Sequence, residues 1–283
     1  MTDAVRAPVV VEDEIPSWNR QPVRRLLAGI GRTAVGLLRP PVELTSLLVA
    51  VLWQACRPLN WRRTLGHEFL RQFRLVGIGA LPFIGLSGLL IGLAMVFQAL
   101  YWLNLLGQSS FVGKIIVLIL VREIAPLLVA LIVIGRSGSV NMVELGHMRA
   151  SGQIRMLEAQ GLDPFLFLIV PRCLATALSM FCLTLVFILV ALAAGYLVGT
   201  VVVSSDRTLL EFTNNILAAM GIGEYAIMVL KPTVAGLVIA LITCVTGLSV
   251  GSPAGQIADV LPRGFVKSVL AVFLVSGTLT LLL

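Results

Sequence analysis

Three groups of residues in this sequence carry polar chemistry, and most of the remainder is hydrocarbon. The first is the stretch from Gly135 to Arg172, which gathers Arg136, Glu144, His147, Arg149, Arg155, Glu158 and Asp163 between two long apolar runs. Such a segment is either a solvent loop or a surface made for a partner. The second is the doublet Arg122-Glu123, which interrupts an apolar run and is followed by Pro126. Ionisable groups at membrane depth are costly, so they face a protein interior or a wet cavity and mark either a substrate path or a structural anchor. Adjacent residues on a helix point about 100° apart, so the two need not pair with each other. The third is Lys231-Pro232 at the start of another apolar run, where a lysine can snorkel to the interface and act as an anchor.

Other chemistries lack a constellation. His67 and His147 lie outside the apolar runs, and no HExxH, nucleophile elbow or paired-carboxylate pattern accompanies them. Cys56, Cys173, Cys182 and Cys244 form no CxxC pair and sit in or beside apolar runs, where cysteine behaves as a small hydrophobe. Neither a disulfide nor a metal site is indicated, and no cofactor is expected. The segment Gly107 to Ile115 imitates a P-loop, but five residues separate its glycines where four are needed. It also ends in Ile where Ser or Thr would bind magnesium. ATP-driven work would therefore require a separate ATPase chain.

The elements that must position these groups follow from composition. With 58% hydrophobic and 12% charged residues, the 283-residue chain reads as an all-α integral membrane protein. Five runs qualify as spans: roughly Leu75 to Leu103, Ile115 to Ile134, Cys173 to Val203, Ala226 to Val250 and Gly264 to Leu283. The formal charge of +7 fits basic loops held at an anionic membrane face, and no nucleic-acid partner is expected. Of the 21 Lys and Arg, 17 fall in the N-terminal segment and in the loops on its side of the membrane. The positive-inside rule then makes the N-terminus cytoplasmic, and an odd number of spans puts the C-terminus on the outside.

Residues 1–16, with their acidic cluster and prolines, read as a disordered tail. Residues 17–74 read as interfacial and membrane-embedded helices. Trp18 to Leu38 has the pattern of a helix lying in the interface, and Leu44 to Cys56 is too short to span. Trp61, Leu65, Phe69 and Phe73 then recur every four residues among arginines. The first 41 residues lack the apolar core and cleavage site of a secretory signal, so the first span is expected to direct insertion. The third span is uncharged from Cys173 to Ser205, about 50 Å of helix, and must tilt, kink or project. A short surface helix is expected within the outer loop, starting at the capping-box pattern Thr208 to Glu211.

Gly85, Gly88 and Gly92 lie near one face of the first span, and Gly195 and Gly199 repeat the spacing in the third. Small residues let helix backbones approach closely, either at a dimer seam or within one bundle. In the polar stretch, Val140, Val143, His147, Ala150, Ile154 and Leu157 alternate at three and four residues. Glu144, Met148, Ser151, Arg155 and Glu158 do the same one position along. This predicts an amphipathic helix, or two broken near Gly152, and Gly161-Leu162-Asp163-Pro164 turns the chain back towards the membrane.

At these residues the chain resembles the MlaE (YrbE) family of lipid ABC-transporter permeases. The likeness runs through Gly135-Arg136-Ser137-Gly138-Ser139, Glu144-Leu145-Gly146, Met148-Arg149, Gln153, Leu157, Gly161, Asp163-Pro164 and Pro171-Arg172. Upstream it includes Leu120 to Pro126, and Gly88, Gly92 and Gln98 of the first span. The resemblance implies a homodimeric five-span permease domain over residues 75–283, in which 135–172 is a cytoplasmic coupling segment and 204–225 a periplasmic loop. It implies a bacterial inner-membrane location and no enzymatic site of the chain's own.

The implied partners are a second copy of the chain, a cytoplasmic ABC ATPase that binds the ATP, a periplasmic MCE-domain protein and a small cytoplasmic STAS-type subunit. The implied cargo is phospholipid or a related lipid. A lipid cavity would be lined by Leu93, Phe97, Gln98, Arg122, Glu123 and Leu127. ATPase coupling would fall to Glu144, Leu145, His147, Met148, Arg149, Gln153, Arg155 and Glu158, and helix packing to Gly85, Gly88 and Gly92. The competing reading of Arg122 and Glu123 is an ion-coupled secondary transporter. Five spans without a visible inverted repeat argue against it.

Overall fold

The computed structural model describes residues 45–54, 63–105, 117–203, 221–249 and 257–282, and every regular element among them is helical. The expectations for the tail, the first interfacial helix, the P-loop-like segment and the outer-loop helix all lie outside the described residues.

Five helices are long and apolar enough to cross a membrane: Gly66–Ala99, Leu118–Ala150, Phe165–Leu197, Gly223–Leu248 and Val260–Leu282. A further apolar helix, α1 (Thr45–Gln54), is too short to do so. In chain order the remaining elements are α2 (Arg63–Phe73), α3 (Gly79–Leu105), α4 (Ala125–Val133), α5 (Ser139–Ala150), α6 (Gln153–Ala159), α7 (Val170–Val203), α8 (Ile222–Leu248) and α9 (Ile257–Leu282). Several expected spans stop at the first charged residue. The helices instead run on through Arg71, Arg172 and Arg263; Arg71 and Arg172 are paired with Glu144, and a charge that finds a partner need not end an apolar helix. The second span shows this most clearly: nothing in Gly135 to Ala150 breaks it, so much of the polar stretch is the continuation of a membrane helix.

Short π-helical segments join several of these elements: Arg74–Ile78 before α3, Val117–Ile124 before α4, Ile134–Gly138 between α4 and α5, and Phe165–Ile169 before α7. Proline removes one helical N–H and crowds the carbonyl four residues earlier. Pro82, Pro126 and Pro171 have as those earlier carbonyls Ile78, Arg122 and Phe167, each of which lies inside a π-helical segment. A widened turn is one way to relieve that crowding. Pro232 and Pro262 sit in unbroken α-helix, so a proline alone does not force the widening.

Gly152 ends α5 in the left-handed conformation, with φ of 76°. The polar stretch is therefore two helices, and an L side chain at 152 would be strained. Gly161 repeats the conformation with φ of 75°. Asp163 then accepts a hydrogen bond from the Phe165 N–H at 2.9 Å, opening the next helix.

α7 is the central post. It is continuous over 34 residues, about 50 Å, and packs on α3, α8, α2 and α4. The core runs between these helices and includes Val76, Ile84, Val129, Met180, Phe187 and Ile239. The small residues of the first span face α7: a side chain at Gly92 would strike the Ala191 backbone, and one at Gly88 would meet the Phe187 carbonyl at 3.1 Å. Across the same seam a side chain at Gly195 would strike Val96. Gly85 has open space where a side chain would go. Gly88 and Gly92 thus pack within the chain, and Gly85 stands apart from them.

Gly92→Val should destabilise the detergent-solubilised protein by about 1–3 kcal/mol through overpacking, whereas Gly85→Val should leave it close to wild type. Thermal unfolding followed by intrinsic fluorescence checks the pair.

Candidate functional site

Two carboxylates organise the polar side chains of the bundle. Glu123 stands just before α4, with its Oε2 2.7 Å from Lys231 Nζ of α8 and its Oε1 accepting from the Thr280 hydroxyl of α9 at 2.9 Å. The ammonium also donates to Thr280 Oγ1 at 3.0 Å and to the Arg122 carbonyl at 3.0 Å. All three of its protons therefore have acceptors, although Lys231 is only 1% accessible. The Arg122 carbonyl is the one that Pro126 cannot bond, so the ammonium takes the place of the missing helical N–H. Arg122 itself reaches the Thr280 carbonyl with Nη2 at 3.2 Å. Its Nε lies 3.9 Å from Glu123, a contact far weaker than the lysine's.

Lys231 does not snorkel. The fourth span begins well before it, so the side chain sits some 13 Å along the helix and turns inward to the carboxylate. With two cations against one anion the cluster carries a net positive charge. Arg122 and Glu123 remain partly open, with side-chain accessibilities of 19% and 36%.

Glu144 organises the other cluster, at the far end of the same helix. Its Oε1 is 3.1 Å from Arg71 of α2, and its Oε2 is 3.1 Å from Arg172 of α7. Arg71 also bonds Glu68 at 3.3 Å, and Gln72 bonds the other oxygen of Glu68 at 2.9 Å. A recess of about 430 Å³ opens beside these groups, between α2, α5 and the start of the third span. On the same helix as Glu144, Arg136 lies across Gly79, with its guanidinium 3.4 Å from the Leu75 carbonyl and 6.0 Å from the centre of the Phe83 ring. It staples the first span to the second.

The profile of the family described as permease MlaE matches residues 69–282 of this sequence. The chain belongs to the MlaE permease family. It is 26% identical over 214 residues to a probable ABC transporter permease protein of Rickettsia typhi, covering 76% of this chain and 82% of the relative. It is 35% identical over 130 residues to the intermembrane phospholipid transport system permease protein MlaE of Haemophilus influenzae, covering 46% and 50%. A chloroplast protein of Arabidopsis thaliana, trigalactosyldiacylglycerol 1, is 28% identical over 223 residues, covering 78% and 61%.

Within this MlaE-family chain the residues singled out from the sequence separate into distinct groups. Arg122 and Glu123 come together with two residues not assigned to their site, Lys231 and Thr280. Phe97 and Gln98 are exposed on α3, while Leu93 and Leu127 are half-buried. No hydrogen bond joins Gln98 to the charged cluster among the described residues.

In α5 the buried face is not the one the two valines mark, whereas Ile154 of α6, from the same expected row, is buried. Val140 and Val143 are 55% and 42% accessible, and the buried face consists of Asn141, Met142, Leu145 and Gly146. The reason is packing: a side chain at Gly247 of α8 or Gly264 of α9 would run into Met142, so these glycines admit α5 against the bundle. Leu145 is therefore core, Glu144 is held by arginines of its own chain, and Met148 lines the recess. His147, Arg149, Gln153, Arg155 and Glu158 point outward and are exposed. The sequence signals that could have found the missing partners are Lys231 beside a proline and Arg172 as the last charge before a long apolar run.

Lys231→Met should cost about 2 kcal/mol of stability, below the about 3–5 kcal/mol of a fully buried broken pair because Glu123 keeps access to solvent. Adding Glu123→Gln should recover part of that loss, as read from the unfolding midpoints of the two single variants and the double variant.

Proposed function

We propose that this chain is the membrane-spanning subunit of an ABC transporter that moves phospholipid, or a related lipid, between the inner membrane and a periplasmic MCE-type carrier. In this reading two copies form the transport unit and a separate cytoplasmic ATPase supplies the energy. Family membership supports the class, and the positive-inside count supports a cytoplasmic position for α5 and α6. The name of the Haemophilus influenzae relative, a component of an intermembrane phospholipid transport system, supports the cargo.

The observation that carries the mechanism is the split of the α5–α6 surface. Its outward face, with His147, Arg149, Gln153, Arg155 and Glu158, is free for the ATPase. Its inward face is fastened through Glu144 to α2 and α7. Movement imposed on the outer face passes directly to the first and third spans. At the other end of the second span, the partly open Arg122 offers positive charge where a lipid phosphate can bind, and the buried Lys231, held by Glu123, keeps the net charge of the cluster positive. Opening of the spans there changes what the phosphate meets, which is the differential affinity that an alternating cycle needs.

In the reconstituted complex with its ATPase, the double reversal Arg155→Glu with Glu158→Lys should lower lipid-stimulated ATP hydrolysis by at least about tenfold, equivalent to 1.4 kcal/mol of lost coupling. Failure of any ATPase to co-purify with the chain, or hydrolysis unchanged by the reversal, would contradict the proposal.

A further inference from the structure

The recess beside Glu144 has unused bonding capacity of one kind. Its two carboxylates are satisfied: Glu144 binds Arg71 with one oxygen and Arg172 with the other, and Glu68 binds Gln72 and Arg71. Its donors are not. Arg172 is 1% accessible and bonds Glu144 through Nη2 alone, leaving Nε and Nη1 without a partner among the described residues. A buried guanidinium with two idle nitrogens is costly, and an acceptor relieves that cost. At the mouth stand His67, which is exposed, and Arg71, 52% accessible, so three basic side chains border one space.

The rest of the lining is apolar, formed by Met148, Phe167 and Leu168. The whole lies where α2 passes into the first apolar span. An acceptor-seeking end joined to an apolar wall, at the depth where helices leave the polar region, fits an amphiphile whose head bears an anionic oxygen cluster.

We propose that this recess binds the phosphate of a membrane phospholipid from the leaflet that bathes the polar-segment end of the bundle, at a site separate from the Arg122–Glu123–Lys231 cluster. The phosphate takes hydrogen bonds from His67 and Arg71 at the mouth. Arg172, buried in the same lining with Nε and Nη1 unpartnered, adds positive charge behind them, while one acyl chain lies along Met148 and Phe167. A lipid held there bridges α2, α5 and α7, the same three elements that Glu144 joins. The site stands whether or not the ATP-driven reading holds, since it needs only the folded chain in a bilayer.

The test places benzoylphenylalanine at Met148 of the full-length chain, in vesicles of phosphatidylethanolamine and phosphatidylglycerol. After illumination the modified peptide is identified by mass spectrometry. The expected product is a phospholipid adduct whose yield falls at least about tenfold in the double variant His67→Ala with Arg71→Gln, as loss of charge-assisted hydrogen bonds requires. Arg74→Gln, an equal loss of charge on the adjoining turn, should leave the yield unchanged. Four results would overturn the proposal: no adduct, an adduct to a protein peptide, a lipid adduct that ignores the double variant or falls equally with Arg74→Gln, and a lipid adduct abolished by inorganic phosphate.

Discussion

A carboxylate placed among apolar helices must find cations, and the second span carries two such carboxylates. Glu123 and Glu144 are 21 residues apart on the helix Leu118–Ala150, about 30 Å at 1.5 Å per residue and close to the thickness of a hydrocarbon core. One is fastened to α8 and α9 through Lys231 and Thr280, the other to α2 and α7 through Arg71 and Arg172. The second span is thus a strut held at both ends by charge, and every other span is tied to one end of it or packs on a helix that is.

The backbone takes part in this arrangement. Pro126 frees the Arg122 carbonyl inside a π-helical segment, and that carbonyl becomes the third acceptor for the Lys231 ammonium. A helix interruption that would be a liability in lipid is turned into a ligand for a buried cation. Arg136 serves a comparable purpose between the spans, laid over Gly79, where a side chain would push the guanidinium aside. The glycines at 88, 92 and 195 then let α3 approach α7 at backbone distance, so close packing and ion pairing fix the same helices from different sides.

The sequence revealed the number of spans, the two-helix break near Gly152 as one of two alternatives, and the two polar regions. These follow from composition and local periodicity, which need no knowledge of the partner helix. Pairings such as Lys231 with Glu123, 108 residues apart, were hidden because nothing local sets the rotation of one span against another. The same blindness hid the buried face of α5, where Val140 and Val143 of the apolar row stand exposed while Ile154 of α6 is buried. The actual buried face was chosen by Gly247 and Gly264, which admit Met142 and Leu145 from helices far along the chain. Residues assigned to ATPase contact were accordingly divided, with Glu144, Leu145 and Met148 turned into the chain and their neighbours turned outward.

The claim that the strut fastens the polar segment to the bundle is tested most directly by a distance. Spin labels at Leu70 of α2 and Val143 of α5, both exposed, in a variant with the native cysteines replaced, report the spacing of these helices by pulsed electron paramagnetic resonance in lipid. A narrow distribution that broadens and shifts in Glu144→Gln is the predicted result. A distribution that is the same with and without the carboxylate would show that Glu144 does not hold the two helices together.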